Sequence, residues 1–205
     1  MIGIIDYGMG NLYSLSKALE RLGYAYEFVS DPERLTDFSG LILPGVGAFG
    51  DAIANIRELG LEIALQDYAE SGRPILGICL GMQLLFGKSE EYGEHIGLGL
   101  LSGEAVRFRG DFKVPHMGWN ELQVKQQHSL LEGVQSGDYV YFVHSYHVRV
   151  RAPEVLLATT DYHQAVTAIV GRDNVFGMQF HPEKSGETGM RLLRNFAVLC
   201  EEVLA

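Results

Sequence analysis

A cysteine stands between two glycines in Gly77-Ile78-Cys79-Leu80-Gly81-Met82-Gln83, directly after the apolar run Pro74-Ile75-Leu76. Far downstream, His181-Pro182-Glu183 follows a second apolar run, Val175–Phe180. A thiol on a strand-to-helix turn, with an imidazole and a carboxylate at the end of another strand, is the equipment of acyl transfer. Cys79 would be the nucleophile, His181 the general base and Glu183 the group that orients the imidazole. The glycines fit that reading, because a nucleophile elbow holds its residue in a strained conformation and needs small neighbours where the turn passes close. A thiol aimed at the start of a helix also has N–H groups and a dipole that favour the thiolate. In an extended segment residues 181 and 183 share a face, so Glu183 is expected to point with His181. Cys200 has another setting: Met190, Leu193, Phe196, Ala197, Cys200, Val203 and Leu204 follow helical core spacing, and it reads as a small buried hydrophobe.

Acyl transfer also needs donors aimed at the developing oxyanion. The glycine-rich stretch Pro44–Gly50 follows a third apolar run and, in a parallel sheet, would lie at the same sheet edge as Cys79. An N–H from Val46 or Gly47 is one candidate donor, and the N–H of Leu80, next to the nucleophile, is the other. Gly45 and Gly47 would let a peptide here turn over at little steric cost. A glycine-rich loop can instead cradle phosphate, but no Walker Lys-Ser/Thr follows this one.

These residues need elements to hold them. Strands are expected at Ile2–Asp6, Ala25–Val29, Leu41–Leu43 and Ile75–Ile78. Helices should run from an Asn11 cap to Leu22 with Gly23 as the stop, from an Asp51 cap through Ile53, Ile56 and Leu59, onward to Ser71-Gly72, and over Cys79–Phe86. Asp31-Pro32-Glu33 starts a turn. This alternation argues an α/β fold with a mostly parallel sheet and helices on both faces. The C-terminal half adds strands at Glu104–Phe108, Glu121–Val124, Tyr139–Val143, His147–Val150, Leu156–Thr160, Ala165–Val170 and Val175–Phe180, part of them antiparallel. A hairpin turn at Gly171–Asn174 joins the last two, and a final helix spans about Glu187–Leu204. Glu90–His95 reads as a polar loop, and Trp119 as part of a glycine-containing loop.

At 205 residues, with 47% hydrophobic and 20% charged residues, the chain is expected to be one domain, residues 1–205, with a sizeable core. A formal net charge of −10 is not built to attract nucleic acid or an anionic membrane. No apolar run reaches transmembrane length, and Met1–Asp6 carries no basic leader region. Two cysteines make no disulfide framework, so a cytoplasmic protein is expected.

Pro44-Gly45-Val46-Gly47, Gly77–Gln83 and His181-Pro182-Glu183, in that order, resemble the class I, triad-type glutamine amidotransferases over nearly the whole chain. The resemblance implies a flavodoxin-like sheet and hydrolysis of glutamine through a Cys79 thioester, with no cofactor and no metal. It places Gln83, Gly45 and the backbone near His144-Ser145-Tyr146 against the bound glutamine. Ile5–Leu12, Pro44–Phe49, Pro115–Asn120 and His181–Ser185 resemble, more specifically, members that act as the glutaminase subunit of a heterodimer with a (β/α)₈-barrel cyclase, in histidine biosynthesis. That implies interface or ammonia-channel roles for Asn11, Trp119 and Lys184, which otherwise read as a helix cap, a core anchor or hot spot, and a surface charge. Two rival readings are a stand-alone cysteine amidase or peptidase with the same elbow, and a flavodoxin-like regulatory module whose site is silent.

Overall fold

Four of the apolar runs, β1 (Ile2–Ile5), β3 (Gly40–Leu43), β4 (Ile75–Ile78) and β14 (Val175–Met178), are buried at every residue. That is the signature of strands covered on both faces. In the computed structural model, which describes residues 1–202, the elements run in chain order β1, α1 (Leu12–Leu22), β2 (Tyr26–Val29), β3, α2 (Phe49–Glu58), α3 (Leu61–Glu70), β4 and α4 (Leu80–Leu84). There follow β5 (Lys88–Ser89), β6 (His95–Ile96), β7 (Gly103–Arg107), β8 (His116–Glu121), β9 (Gln123–Val124), β10 (Tyr139–His144) and β11 (Tyr146–Val150). The chain then forms β12 (Leu156–Asp161), β13 (Ala165–Arg172), β14 and α5 (Gly186–Glu202).

The main sheet has the order β2-β1-β3-β4-β14-β13-β12-β9. Its first five strands are parallel, and β13, β12 and β9 extend it antiparallel. This is the doubly wound arrangement expected, with its flavodoxin-like strand order. Side chains alternate across it. Ile4, Ile42 and Leu76 pack with Leu15 and Leu19 of α1 and with Leu192 and Phe196 of α5. Ile5, Leu41 and Ile75 pack with Phe49, Ile53 and Ile56 of α2 and with Leu61 and Leu65 of α3. The pairings Leu43↔Gly77 and Met178↔Ile78 bring the ends of β3, β4 and β14 level. The loop after β3, Cys79 and His181 therefore emerge at one edge.

Local signals hold where the sequence carries its own caps. Asn11 Oδ1 accepts from Ser14 N–H at 3.2 Å, and Gly23, at φ +80°, ends α1. Elsewhere longer-range contacts decide. Asp51 does not cap α2; it lies in the first turn, and Glu91 caps the helix from 42 residues away, its Oε2 accepting from Phe49 N–H at 2.8 Å. The loop around Glu91 closes a small antiparallel pair, β5 with β6. Glu121–Val124 is two strands in different sheets, split at buried Leu122. Trp119 is in β8, which forms a two-stranded ribbon with β10. The helix after Cys79 is only five residues long, and β14 stops at Met178. Val203 and Leu204 of the expected final helix lie outside the described residues.

Candidate active site

Cys79 sits between β4 and α4 at φ +55°, ψ −114°, a conformation that costs a side-chain-bearing residue about 1–3 kcal/mol. Its N–H donates to Met178 O at 2.8 Å, which ties the elbow to β14. Both flanking glycines are required by contact. A methyl group on Gly81 would run into the Leu43 carbonyl, and one on Gly77 into the Gly81 carbonyl. A helix as short as α4 carries little dipole, so stabilisation of a thiolate falls chiefly to side chains.

His181 and Glu183 are both at this edge. Their side chains are 4% and 3% exposed, and Nδ1 of His181 meets Oε1 of Glu183 at 2.8 Å. The segment is not extended as expected; Pro182–Lys184 is a 3₁₀ turn, and the turn rather than strand alternation brings residues 181 and 183 together. Burial alone would lower the pKa of His181, but hydrogen bonding to Cys79 and then to Glu183 outweighs it and raises the value to about 10. The other carboxylate oxygen, Glu183 Oε2, is buried with no hydrogen-bond partner among the described residues. A closed ring of hydrogen bonds holds the base to β10. His181 N–H donates to Tyr141 O (3.1 Å), Tyr141 N–H to Ser185 Oγ (3.0 Å), and the Ser185 hydroxyl to His181 O (2.6 Å).

The thiol opens into a cavity of about 340 Å³ whose lining includes Val46, Gly47, Leu80, Gln83, His144, Ser145 and Tyr146. Each of those residues was anticipated. Glu91, Pro115 and Val143 were not, and they complete the wall. Glu91 is the one carboxylate of the wall, and burial, its largest influence, raises its pKa. No local pattern marks it; its partner Phe49 is remote in sequence. Gly45 lies behind the wall, where a Cβ would meet the Tyr7 hydroxyl at 2.6 Å and Gly81 N at 3.0 Å. Tyr7 Oη donates to Pro44 O at 2.7 Å and pins that end of the loop. Only the outer part is free to turn: Val46 and Gly47 are exposed, and Gly47 is at φ +96°. Glycines 45, 47 and 50 do have the G-x-G-x-x-G spacing of dinucleotide sites. The N-terminus of α2 that would receive a phosphate already holds the Glu91 carboxylate, which repels one.

As a thiol, Cys79 donates to Val143 O at 3.9 Å, and its sulfur accepts from Gln179 Nε2 at 3.8 Å. Gln179 is fully buried, and its one sequence signal is a polar residue within the apolar run before His181. Beside the site, one face of the β8–β10 ribbon is open, with Met117, Trp119 and Tyr139 55%, 56% and 54% exposed and Glu121, opposite Tyr139, at its far end. Trp119 is thus no core anchor; its ring meets Tyr141 edge-on, with ring centres 6.0 Å apart. Lys184 is exposed, and Asn11 commits its side-chain oxygen to α1. No cluster of three or more His, Cys, Asp or Glu suited to a metal occurs among the described residues, and no helix there is long and apolar enough to cross a membrane.

The model of the family described as glutamine amidotransferase class-I matches residues 3–200. The chain is 54% identical over 209 residues to the imidazole glycerol phosphate synthase subunit HisH of Halalkalibacterium halodurans, covering 98% of this chain and 97% of that one. It is 57% identical over 202 residues to the subunit of the same name from Geobacillus thermodenitrificans, covering 96% and 94%. Among solved structures, one described as a glutamine amidotransferase is similar at a TM-score of 0.78, with 26% identity and 98% of each chain covered. A chain of the PurLQS structure from Thermotoga maritima shares the fold at a TM-score of 0.77, with 22% identity and 96% and 97% covered.

Proposed function

The chain belongs to the class-I glutamine amidotransferase family, and from that premise we propose that Cys79, His181 and Glu183 hydrolyse glutamine as the glutaminase subunit of imidazole glycerol phosphate synthase. The observation that carries the assignment of roles is the strained Cys79 elbow facing a buried imidazole that a carboxylate holds at 2.8 Å. His181 takes the proton of the Cys79 thiol, a transfer favoured by the hydrogen bonds to Cys79 and Glu183 that raise its pKa. The Cys79 sulfur attacks the side-chain amide carbon of glutamine. The carbonyl oxygen takes negative charge and accepts from Leu80 N–H and from an N–H of the Val46–Gly47 segment. His181 passes its proton to the departing nitrogen, which leaves as ammonia, and a γ-glutamyl thioester remains on Cys79. Water, deprotonated by His181, attacks the thioester, releasing glutamate and the thiol. Glu183 stabilises each imidazolium in turn.

The rest of the cavity suits a free amino acid. The Glu91 carboxylate pairs with the α-ammonium group, while Gln83, Ser145 and Tyr146 line the same cavity. Ammonia is then handed to a (β/α)₈-barrel cyclase bound as a heterodimer in the cytoplasm. The open face of Met117, Trp119 and Tyr139, with Asn11 and Lys184 nearby, is the docking surface. Exposed aromatic side chains of this kind anchor interfaces.

The test is glutamate release from glutamine by the isolated chain and by its complex with a barrel cyclase carrying its ligand. If the Val46–Gly47 peptide supplies its N–H only in the complex, the isolated chain is slower by about 10²–10³, the worth of one oxyanion donor. A chain that hydrolyses no glutamine in either state rules out the function; one equally fast in both rules out control through this loop.

A further inference from the structure

The hydrogen bonds around the thiol form one chain whose direction is set at a single atom. The carbonyl oxygen of Tyr146 can only accept, and it takes Gln83 Nε2 at 3.0 Å and His144 Nδ1 at 2.8 Å. Gln83 must therefore turn its NH₂ toward it, and that NH₂ also reaches Gln179 Oε1 at 3.2 Å. Gln179 is thereby left with its own NH₂ toward Cys79 Sγ, at 3.8 Å. In the other direction, His144 carries its proton on Nδ1, so its Nε2 accepts from His116 Nδ1 at 3.0 Å. His116 Nε2 in turn accepts from Asn120 Nδ2 at 3.2 Å, and that amide also donates to Asp161 O at 2.7 Å. Every proton position follows from the one carbonyl. Burial keeps both imidazoles neutral, with pKa values lowered to about 3 for His144 and about 4 for His116, as a chain with one proton per ring requires.

We infer that Gln179 takes part in the reaction as a hydrogen-bond donor to the sulfur of Cys79, its amide kept from flipping by Gln83, which the Tyr146 carbonyl orients. The inference rests on Cys79 being the nucleophile. Once the thiol loses its proton it can no longer donate to Val143 O, and the Gln179 amide becomes a charge-assisted donor to the anion. A flipped amide would present an oxygen to the same charge. Gln179 is fully buried and is not part of the cavity wall, so its effect falls on thiolate formation and turnover and not on glutamine binding. The other titratable groups around the sulfur are His181 with Glu183 behind it, Tyr7, His144 and Glu91, and both variants keep all of them.

The experiment uses the full chain in a Cys200→Ala background, so that Cys79 is the one thiol, and follows its alkylation by iodoacetamide as a function of pH. Gln179→Met removes the donor at similar volume and should move the midpoint up by about one pH unit, a tenfold loss of thiolate below it. Gln179→Glu puts a carboxylate oxygen at the sulfur and should move it further. kcat for glutamine should fall about tenfold in the Met variant, with KM within about twofold. A midpoint unchanged in Gln179→Met, or equal shifts for Met and Glu, overturns the inference. Nitrogen-15 spectra of the unsubstituted chain test the donor itself even if both variants fail to fold. The Gln179 side-chain NH₂ signal should move as the Cys79 thiol loses its proton, and a signal unchanged across the alkylation midpoint overturns the inference. Alkylation needs no glutamine. A chain that shows the shifts but hydrolyses no glutamine would refute the proposed substrate and leave this inference standing.

Discussion

The two cysteines lie at opposite ends of the same sheet. Cys79 follows β4 at the edge where β3, β4 and β14 end; Cys200, on α5, packs against Gly40 where β3 begins. Both are buried, so burial does not separate a nucleophile from a core residue. At Gly40 the sulfur meets a glycine chosen for space, and burial pushes the thiol up to about 12. At the other end the thiol meets a buried imidazole with a carboxylate behind it and a cavity in front. What differs is the set of polar groups that the strand ends deliver, since parallel strands gather their following loops at one edge.

The sharpest way to break the comparison is to exchange the chemistry. Cys79→Ser should lower glutamine hydrolysis by about 10⁴-fold or more while the chain stays folded, because a hydroxyl is a far weaker nucleophile beside the same base. Gly81→Ala comes next. Its methyl group has no room beside Leu43 O, and it should cost about 3 kcal/mol or more in urea unfolding. Gly23→Ala, with a positive φ but open space, should cost only about 1–2 kcal/mol. Gly81 is not at a positive φ, so equal costs would show that the contact with Leu43 O is not what selects the elbow glycine.

His181 tests the comparison through pH. Its pKa in the folded chain, about 10, lies above its ordinary value of 6.5. Its contribution to stability is thus complete below about 6.5 and is lost as pH rises through about 10. The difference in urea midpoint between the unsubstituted chain and His181→Gln should narrow from pH 6 to pH 10; a constant difference would mean that the imidazolium is not what the site stabilises. The smallest effect belongs to Cys200→Ala, with unchanged kinetics and a loss of about 1 kcal/mol. A large kinetic loss there would erase the distinction between the two ends.

The triad was legible because each member sits in a short motif beside its strand, and the strands themselves because both-sided burial leaves unbroken apolar runs. α1 was legible through Asn11 and Gly23. The misreadings share one cause, partners remote in sequence. Asp51 looked like a cap because Glu91 could not be seen to reach Phe49. Trp119 looked like loop because ribbon pairing with Tyr141, and not local pattern, makes β8 a strand. Pro182 bends the segment after β14 into a turn, so strand alternation named the right pair for the wrong reason. Gln179 was hidden inside an apolar run, where one polar residue reads as noise until its neighbours are known.

One pairing also bears on how the chain is made. β14, the last strand in sequence among the described residues, lies in the middle of the sheet, between β4 and β13. While a ribosome has delivered only the first half, β4 is a bare edge, open to pairing with other chains. The Cys79 N–H then lacks its acceptor, Met178 O, and the imidazole has not been synthesised. Closing so long a loop is slow, and the partly built sheet is exposed to aggregation until it happens. Reactivity of Cys79 in a nascent chain would therefore report arrival of the last strand, and a truncated product carries no activated thiol into the cell.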